Sequence, residues 1–598
     1  MKLWSISTTV RNPERLRNFL KVLQLLEGKP FDLNNQTKYQ ILLIQHKYYI
    51  PNNIPDEFKV YYEKLDLEMP YSVAEKIFNY QNYEDPAMRG RQSVNPLNKL
   101  GFSIAREKSG NIIITELGKR FLKDEYDIGY IFFKSLLKLQ FPNPWSNDFS
   151  SEKGFNVQPL IATMHLINKV NQKSYDNTGL SQTEFSLFVP SLINYTLIDE
   201  YVSKVLEYRK TKNKDKFILN FARDFYKIEQ PSEKQINNFF EYGDNIMRYF
   251  RLTRYFKVTS DNFGANWRIN LEPTRNVEIQ QLLKKYSGEA IEKFEKLEQY
   301  LKYLSDIAQP ELPFENIDNL QKIASELVKI IASFVEQNNL HLFETDKKLL
   351  NENYKDYTKE ELHNYIKSLR DLNIALKESL NKKYLLNNQD KIEEIISNLK
   401  NYKTVKKFAP EKFEQIITES LKIINDEIKI KPNYPVDDNG QPITHASGNQ
   451  PDIECYYKTF NLICEVTLDT TNYQWIRETQ TVMRHLRDFE KKYPQSLNYC
   501  LFISPKIHID TVYHFWTSIK FGYDGYRQKI IPLTTDQFSV LLETLVHLLK
   551  KGKGFSHIEI RELYDKILSI TENVNGHSEW LENISKIIDQ WKLNIIEK

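Results

Sequence analysis

The sequence predicts a multidomain chain: a mainly α N-terminal region with two winged-helix-like units, a helical connector, and a C-terminal α/β domain. Three observations carry this expectation. The 598 residues equal about four domains of ordinary size. A helix followed by a short hairpin occurs twice in the N-terminal half. A glycine-free stretch from Glu289 to Asn439 then gives way to glycines and alternating apolar runs after Pro435. Hydrophobic residues make up 41%, aromatics 13% and charged residues 27%, which is ordinary globular usage and excludes disordered, collagen-like or purely coiled-coil chains.

The first hairpin lies in LGFSIAREKSGNIIITELGKRFL, from Leu100 to Leu122. It reads as a strand, a turn at Ser109-Gly110, a strand at Ile112 to Ile114, and a helix capped near Thr115. From Pro86 to Lys123 there are eight basic residues against two acidic ones. The second unit places the helical stretch MRYFRLTRYFKV before a polar turn at Asp261 to Asn266 and the strand WRINLEP. Arg248, Arg251, Arg254 and Lys257 recur every third residue there, interleaved with Tyr249, Phe250, Tyr255 and Phe256, a stripe suited to a phosphate backbone. A solvated face of an ordinary helix also explains any one such stripe. Phosphate contacts give position and salt-dependent affinity, whereas base identity needs a few side chains in a groove. Arg89 and Arg91 are the candidates for that reading.

The connector has no proline between Pro313 and Pro410, and runs such as IASELVKIIASFV repeat apolar residues at helical spacing. It is expected to hold two units apart, or simply to pack. The expected divisions are residues 1–145 and 146–285 for the two winged-helix-like units, 286–394 for the linker and 395–598 for the α/β domain.

Lys plus Arg number 82 against 79 for Asp plus Glu, so a net charge of +3 identifies no polyanionic partner and any such surface must be local. Cys455, Cys464 and Cys500 form no CxxC pair and build neither a disulfide framework nor a thiolate zinc site. The opening MKLWSISTTVRNPERL lacks a signal-peptide core, and no apolar run is long enough to cross a bilayer, so a soluble protein of a reducing intracellular compartment is expected.

The chemistry concentrates near Asp452. It precedes IECYY, a turn at Lys458-Thr459 follows, and Asn461 to Leu468 forms the returning strand of a hairpin. Alternation puts Leu462, Cys464, Val466 and Leu468 on one side, and Ile463, Glu465 and Thr467 on the other. A carboxylate amid such a strand is costly to bury unless it is paired or bound to a cation, so Asp452 and Glu465 point to a hard-metal site of the Mg²⁺ type, with a backbone carbonyl as a third anchor. Such a metal neutralises a scissile phosphate and acidifies an attacking water. On the next helix Glu478 and His485 lie seven apart on one face, and His485 is placed to orient or activate water or to bond the leaving oxygen. Glu414, on an upstream helix, is a further carboxylate candidate. His445 reads equally as a turn histidine or a phosphate contact and stays outside the set.

At these residues the chain resembles a known family. The run PITHASGNQPDIECYYKTFNLICEVT, with ETQTVMRHL and LFISPKIHIDT after it, is similar to the AlwI family of type IIS restriction endonucleases, which includes strand-nicking members. The likeness extends to LWSISTTVRNPERL, FFKSLLKLQFPNPW, LTRYFKV and INLEP, and is strongest from Pro442 to His485.

The resemblance implies an N-terminal DNA-recognition region of two winged-helix-like subdomains, a linker, and a nuclease domain of the PD-(D/E)xK fold. It implies Mg²⁺-dependent cleavage of double-stranded DNA a few base pairs outside a short asymmetric site, in a prokaryotic cytoplasm beside a cognate DNA methyltransferase. By the resemblance, Asp452, Glu465 and the Val466 carbonyl hold the metal, Glu414 is the family's helix carboxylate, and Glu478 with His485 its downstream acid and histidine. Thr467 stands where the wider fold has a lysine, so another group, His485 first, must share that charge's work. One chain has one centre; a second copy or a smaller nuclease subunit would serve the second strand, or the enzyme nicks. An inert DNA-binding protein, and a helical scaffold, are the readings from other classes.

Overall fold

The computed structural model describes the chain apart from residues 8–9, 11, 14, 64–66, 108–109, 124–126, 145–146, 262–263, 265, 291–293, 295, 447–449 and 598. Parts of the opening segment, the Ser109 position of the first predicted turn, Trp145, half of the 261–266 turn and Ser447–Asn449 ahead of Asp452 therefore lie outside the described residues. Among the described residues the protein is mostly helical with three small sheets, and it divides into two compact units. The first comprises residues 1–58, 69–260 and 266–372; the second comprises 59–68, 261–265 and 373–598. Among the described residues no helix is long and apolar enough to cross a membrane.

In the first unit, α1 (Leu33–Gln45) starts at Asp32, whose carboxylate accepts the Asn35 N–H at 2.8 Å. α2 (Tyr71–Tyr80) and α3 (Pro86–Lys99) both pack on it. Asp85 caps α3 by accepting the Met88 N–H at 3.0 Å, and Pro86 occupies the first turn, where no N–H is needed. The α1–α3 crossing depends on Gly90, because a Cβ there would stand 2.0 Å from the Gln36 carbonyl oxygen. Ser93 Oγ donates to Gln40 Oε1 at 2.8 Å across the same contact.

The hairpin that follows pairs β1 (Ser103–Ile104) antiparallel with β2 (Ile113–Ile114). Asn98 locks it to α3: its amide donates to the Ala105 carbonyl at 2.9 Å, and its Oδ1 accepts from Ser103 Oγ at 2.8 Å and Ala105 N–H at 3.1 Å. Thr115 Oγ accepts the Gly118 N–H at 3.0 Å and so begins α4 (Glu116–Lys123), the cap the sequence predicts. On α5 (Ile128–Lys138) two lysines are buried. Lys134 Nζ donates to the Ala308 and Pro310 carbonyls, at 3.2 and 2.6 Å, and Lys138 Nζ to those of Leu304 and Asp306, both at 2.6 Å. Burial lowers their pKa to about 8 and about 7 respectively.

Farther on, β3 (Leu180–Ser181) joins a sheet of order β3-β5-β4. α6 (Glu233–Leu252) opens with a Ser232/Gln235 capping box and leads into β4 (Phe256–Thr259) and β5 (Arg268–Leu271). The predicted helix over MRYFRLTRYFKV is shorter than expected. It stops at Leu252; Arg254 takes φ +63°, and Lys257 lies on β4. Only Arg248 and Arg251 share the helix, because Tyr255 and Phe256 are pulled into the core and Phe256 starts the strand.

In the second unit, α7 (Pro410–Ile423) packs on a five-stranded sheet of order β10-β9-β8-β7-β6. Its strands are β6 (Lys429–Pro432), β7 (Ile453–Tyr456), β8 (Asn461–Val466), β9 (Asn498–Ser504) and β10 (Ile530–Thr534). β6, β7 and β8 run antiparallel, while β8, β9 and β10 run parallel. Each edge strand contains a proline, Pro432 and Pro532. β8 and β9 are buried almost throughout, as expected of central strands covered on both faces, so their apolar residues run on rather than alternate with polar ones.

Candidate functional site

The β7–β8 register pairs Ile453 with Cys464, which makes Asp452 and Glu465 cross-strand neighbours one step beyond on the same face. Asp452 Oδ2 accepts the Val466 N–H at 2.8 Å, closing the end of the hairpin. Val466 ends β8, and the chain continues to Thr467, whose N–H donates to the Ile503 carbonyl at 3.0 Å.

The next helical segment is broken at Glu478. A short helix, Asn472–Arg477, stops there, and α8 (Thr479–Lys492) starts beyond it with Glu478 as its cap residue. Glu478 Oε1 accepts from Thr467 Oγ at 3.2 Å, and Thr467 Oγ in turn accepts the Asp469 N–H at 3.2 Å. His485, buried on α8 beside Val482, Leu486 and Phe489, sets its Nδ1 2.8 Å from Glu465 Oε1. The structure thus gathers Asp452, Glu465, Glu478 and His485. The Thr467 hydroxyl occupies the end of the strand beside them.

The electrostatics are those of crowded anions, Glu465 buried and Asp452 and Glu478 half-buried. Burial raises the Asp452 carboxyl well above its ordinary range, and the charges of Glu465 and then Glu478 add to the rise. Glu465 rises for the same reasons, burial and Glu478, partly offset by Arg484. Glu478 is pushed up to about 7, chiefly by burial, with Arg477 and His485 pulling the other way. Arg477 and Arg484, both exposed, are cations that the reading of the sequence missed. Their only signal there is position: each immediately precedes one of the candidate residues, Glu478 and His485.

Among the described residues no three His, Cys, Asp or Glu side chains form a closed metal-ligand group. The donor chemistry nevertheless suits a hard dication: two facing carboxylates and the Val466 backbone, with negative charge that burial leaves under-compensated. Nearby thiols offer no competing soft site, because burial pushes Cys455, Cys464 and Cys500 upward in pKa, towards the neutral thiol.

Glu414 is placed differently from the others. It is buried on α7 and its Oε2 accepts the Ala446 N–H at 2.9 Å, so it fastens the segment leading towards Asp452. His445 is half-buried, which lowers its pKa. Two residues beyond Asp452 and on the same face, Glu454 of β7 has its own partners, Asn433 Nδ2 at 3.1 Å and Lys431 Nζ at 3.4 Å.

The basic candidates of the first unit are dispersed. Arg89 lies 4.6 Å over the Tyr83 ring, and Arg91 donates to Gln36 Oε1 at 2.8 Å while pairing with Asp85. Arg248 bonds Asp244 at 3.0 Å along its own helix, and Arg254 bonds Asp127 at 3.0 Å. Arg251 and Lys257 are half-buried.

Residues 98–541, well over half of the chain, match the sequence profile described as AlwI restriction endonuclease. Among solved structures, the small subunit of the heterodimeric restriction endonuclease R.BspD6I is similar at 27% identity, with 33% of this chain and 97% of that chain covered and a TM-score of 0.28. The restriction endonuclease FokI is similar at 11% identity over 94% of this chain and 99% of its own, with a TM-score of 0.23. FokI bound to DNA gives 12%, 94% and 98%, with a TM-score of 0.21. No curated protein matches.

Proposed function

Because the chain belongs to the AlwI restriction endonuclease family, we propose that it is a Mg²⁺-dependent type IIS enzyme, binding a short asymmetric duplex sequence and hydrolysing phosphodiester bonds a few base pairs outside it. The observation that carries the reading is the pairing of Asp452 and Glu465 across β7 and β8, with Glu478 and His485 gathered beside them.

In this reading Asp452, Glu465 and the Val466 carbonyl hold the metal, which supplies positive charge to the scissile phosphate and acidifies a water. His485 is a positioning residue: its Nδ1 fixes the Glu465 carboxyl in one orientation. Thr467 carries no charge; its hydroxyl orients Glu478, whose pKa near 7 lets it hold or release a proton at neutral pH. Arg484 and Arg477 bring positive charge near Glu465 and Glu478, the work a lysine at position 467 would do. Glu414 keeps the approach to Asp452 in place through Ala446.

The first unit is read as the DNA-recognition part, its two helix-and-hairpin stretches acting as winged-helix-like subdomains, with Arg89, Arg91, Arg248, Arg251, Arg254 and Lys257 as contact candidates. One chain brings one centre of this kind, so cutting both strands needs a second copy or a smaller nuclease subunit, and a lone chain nicks. The enzyme is assigned to a restriction-modification pair with a DNA methyltransferase of the same specificity.

The test is supercoiled plasmid with Mg²⁺ against an EDTA control, the ends mapped by run-off sequencing of both strands. Breaks at one offset from a shared short sequence support the reading, and their presence on one strand or both separates nicking from double-strand cleavage. DNA binding without any metal-dependent break in the unaltered protein refutes the catalytic assignment.

A further inference from the structure

The two sides of α3 do different work. Gly90, Ser93 and Leu97 face inward, where the helix crosses α1 and meets the core. Met88, Arg91, Gln92 and Asn95 recur at i, i+3, i+4 and i+7, which places them on one strip of the opposite side. Met88 and Asn95 are exposed, and Arg91 and Gln92 half-buried. Together with Arg106, just beyond β1, these four side chains line a cavity of about 620 Å³.

The frame of this groove is fixed. Asp85 caps the helix, Gly90 sets its crossing, and the three bonds of Asn98 pin the hairpin on which Arg106 sits. Arg91 is held in direction by Gln36 and Asp85. Two carboxylates also line it: Asp148, already paired with Lys2 at 2.6 Å, and the exposed Glu107. By contrast, among the described residues no hydrogen bond holds the Gln92 or the Asn95 amide. Two uncommitted amides on a rigid helix face, flanked by two guanidiniums, present donor and acceptor pairs beside positive charge.

We propose that this face of α3 reads base edges of duplex DNA, with Gln92 and Asn95 as the specificity-determining residues and adenine as their preferred base. An amide offers the donor and acceptor that adenine N7 and N6 require in the major groove, and the groove is wide enough to admit a helix. Arg91 and Arg106, whose guanidiniums match guanine O6 and N7, stand beside them. The assignment rests on the endonuclease reading above. It moves base recognition away from Arg89, which lies over Tyr83 on the flank of the helix.

The test is selection from a randomised duplex pool, in EDTA, by the full chain, by Gln92→Ala and by Asn95→Ala. The expected result is that the parent enriches one short sequence, while each variant loses discrimination at one A·T pair by roughly 5- to 150-fold. Binding to unrelated duplex at low salt should stay unchanged. If both variants enrich the parent's sequence with its full discrimination, the assignment is overturned and the endonuclease reading survives. A uniform loss of affinity for all sequences makes the face a phosphate contact and overturns it equally. A parent that binds DNA but enriches no sequence overturns the endonuclease reading, and this assignment falls with it.

Discussion

Replacing Asp452 with asparagine should make the metal-free protein more stable while abolishing cleavage. The hydrogen bond to the Val466 N–H survives, because the asparagine carbonyl oxygen can accept it in place of Oδ2. What disappears is a half-buried charge pressed against Glu465 and Glu478. Cross-strand neighbours stand about 5 Å apart, and at an effective dielectric constant of about 20 two like charges at that distance repel by about 3 kcal/mol. Protonation already relieves part of this in the native protein, so a net gain of about 1–2 kcal/mol is expected, or roughly 2–8 °C for a domain of this size. The assay is thermal unfolding of both proteins in EDTA and in Mg²⁺. D452N should melt higher in EDTA and gain little from Mg²⁺, whereas the parent should gain clearly by mass action. A D452N protein that melts at or below the parent in EDTA would refute the crowded-anion account of this site.

Three further perturbations probe other contacts. His485→Ala should lower single-turnover cleavage about 10- to 100-fold with DNA affinity in EDTA unchanged, and His485→Asn, which can still donate to Glu465, should recover part of it; equal loss in both would remove the positioning role. Gly90→Ala forces a methyl group against the Gln36 carbonyl and should cost about 1–3 kcal/mol, seen by calorimetry, together with weakened sequence-specific binding; a neutral result would mean the α1–α3 crossing yields readily. Lys138 has a folded pKa of about 7 against an ordinary value of 10.5. Between those values the unfolded chain holds a proton that the folded chain has released, so this lysine makes stability rise with pH by up to about 1.4 kcal/mol per unit, and adds no slope below pH 7. Unfolding midpoints from pH 6 to pH 10 should therefore climb more steeply for the parent than for Lys138→Met, and parallel profiles would count against it.

Much of the local architecture was legible because it rests on short-range chemistry. Thr115 announces a helix start through its hydroxyl, and the Asp452–Leu468 stretch shows a polar turn at Lys458-Thr459 between two apolar runs. The arginine series was misread because a three-residue spacing says nothing about where a helix ends; Tyr255 and Phe256, drawn into the core, decide that, and Arg254 adopts the left-handed turn that permits it. Glu414 has the right residue type on the right element, yet its bond to the Ala446 N–H links segments 32 residues apart, a separation no local pattern encodes. Gln92 and Asn95 escaped notice for a related reason: uncharged amides on a helix look like filler until the opposite face is known to be committed to packing.

The prolines of β6 and β10 bear on how two such chains can meet. An open sheet normally offers unpaired N–H groups at its rims, and a second molecule can extend it by adding a strand. Here Pro432 and Pro532 each remove one of those donors, one from each rim, so neither border of the sheet is a good template for growth. Self-association that proceeds through this unit is thereby steered towards helical surfaces, and strand-by-strand aggregation is discouraged on both sides of the sheet that carries Asp452 and Glu465.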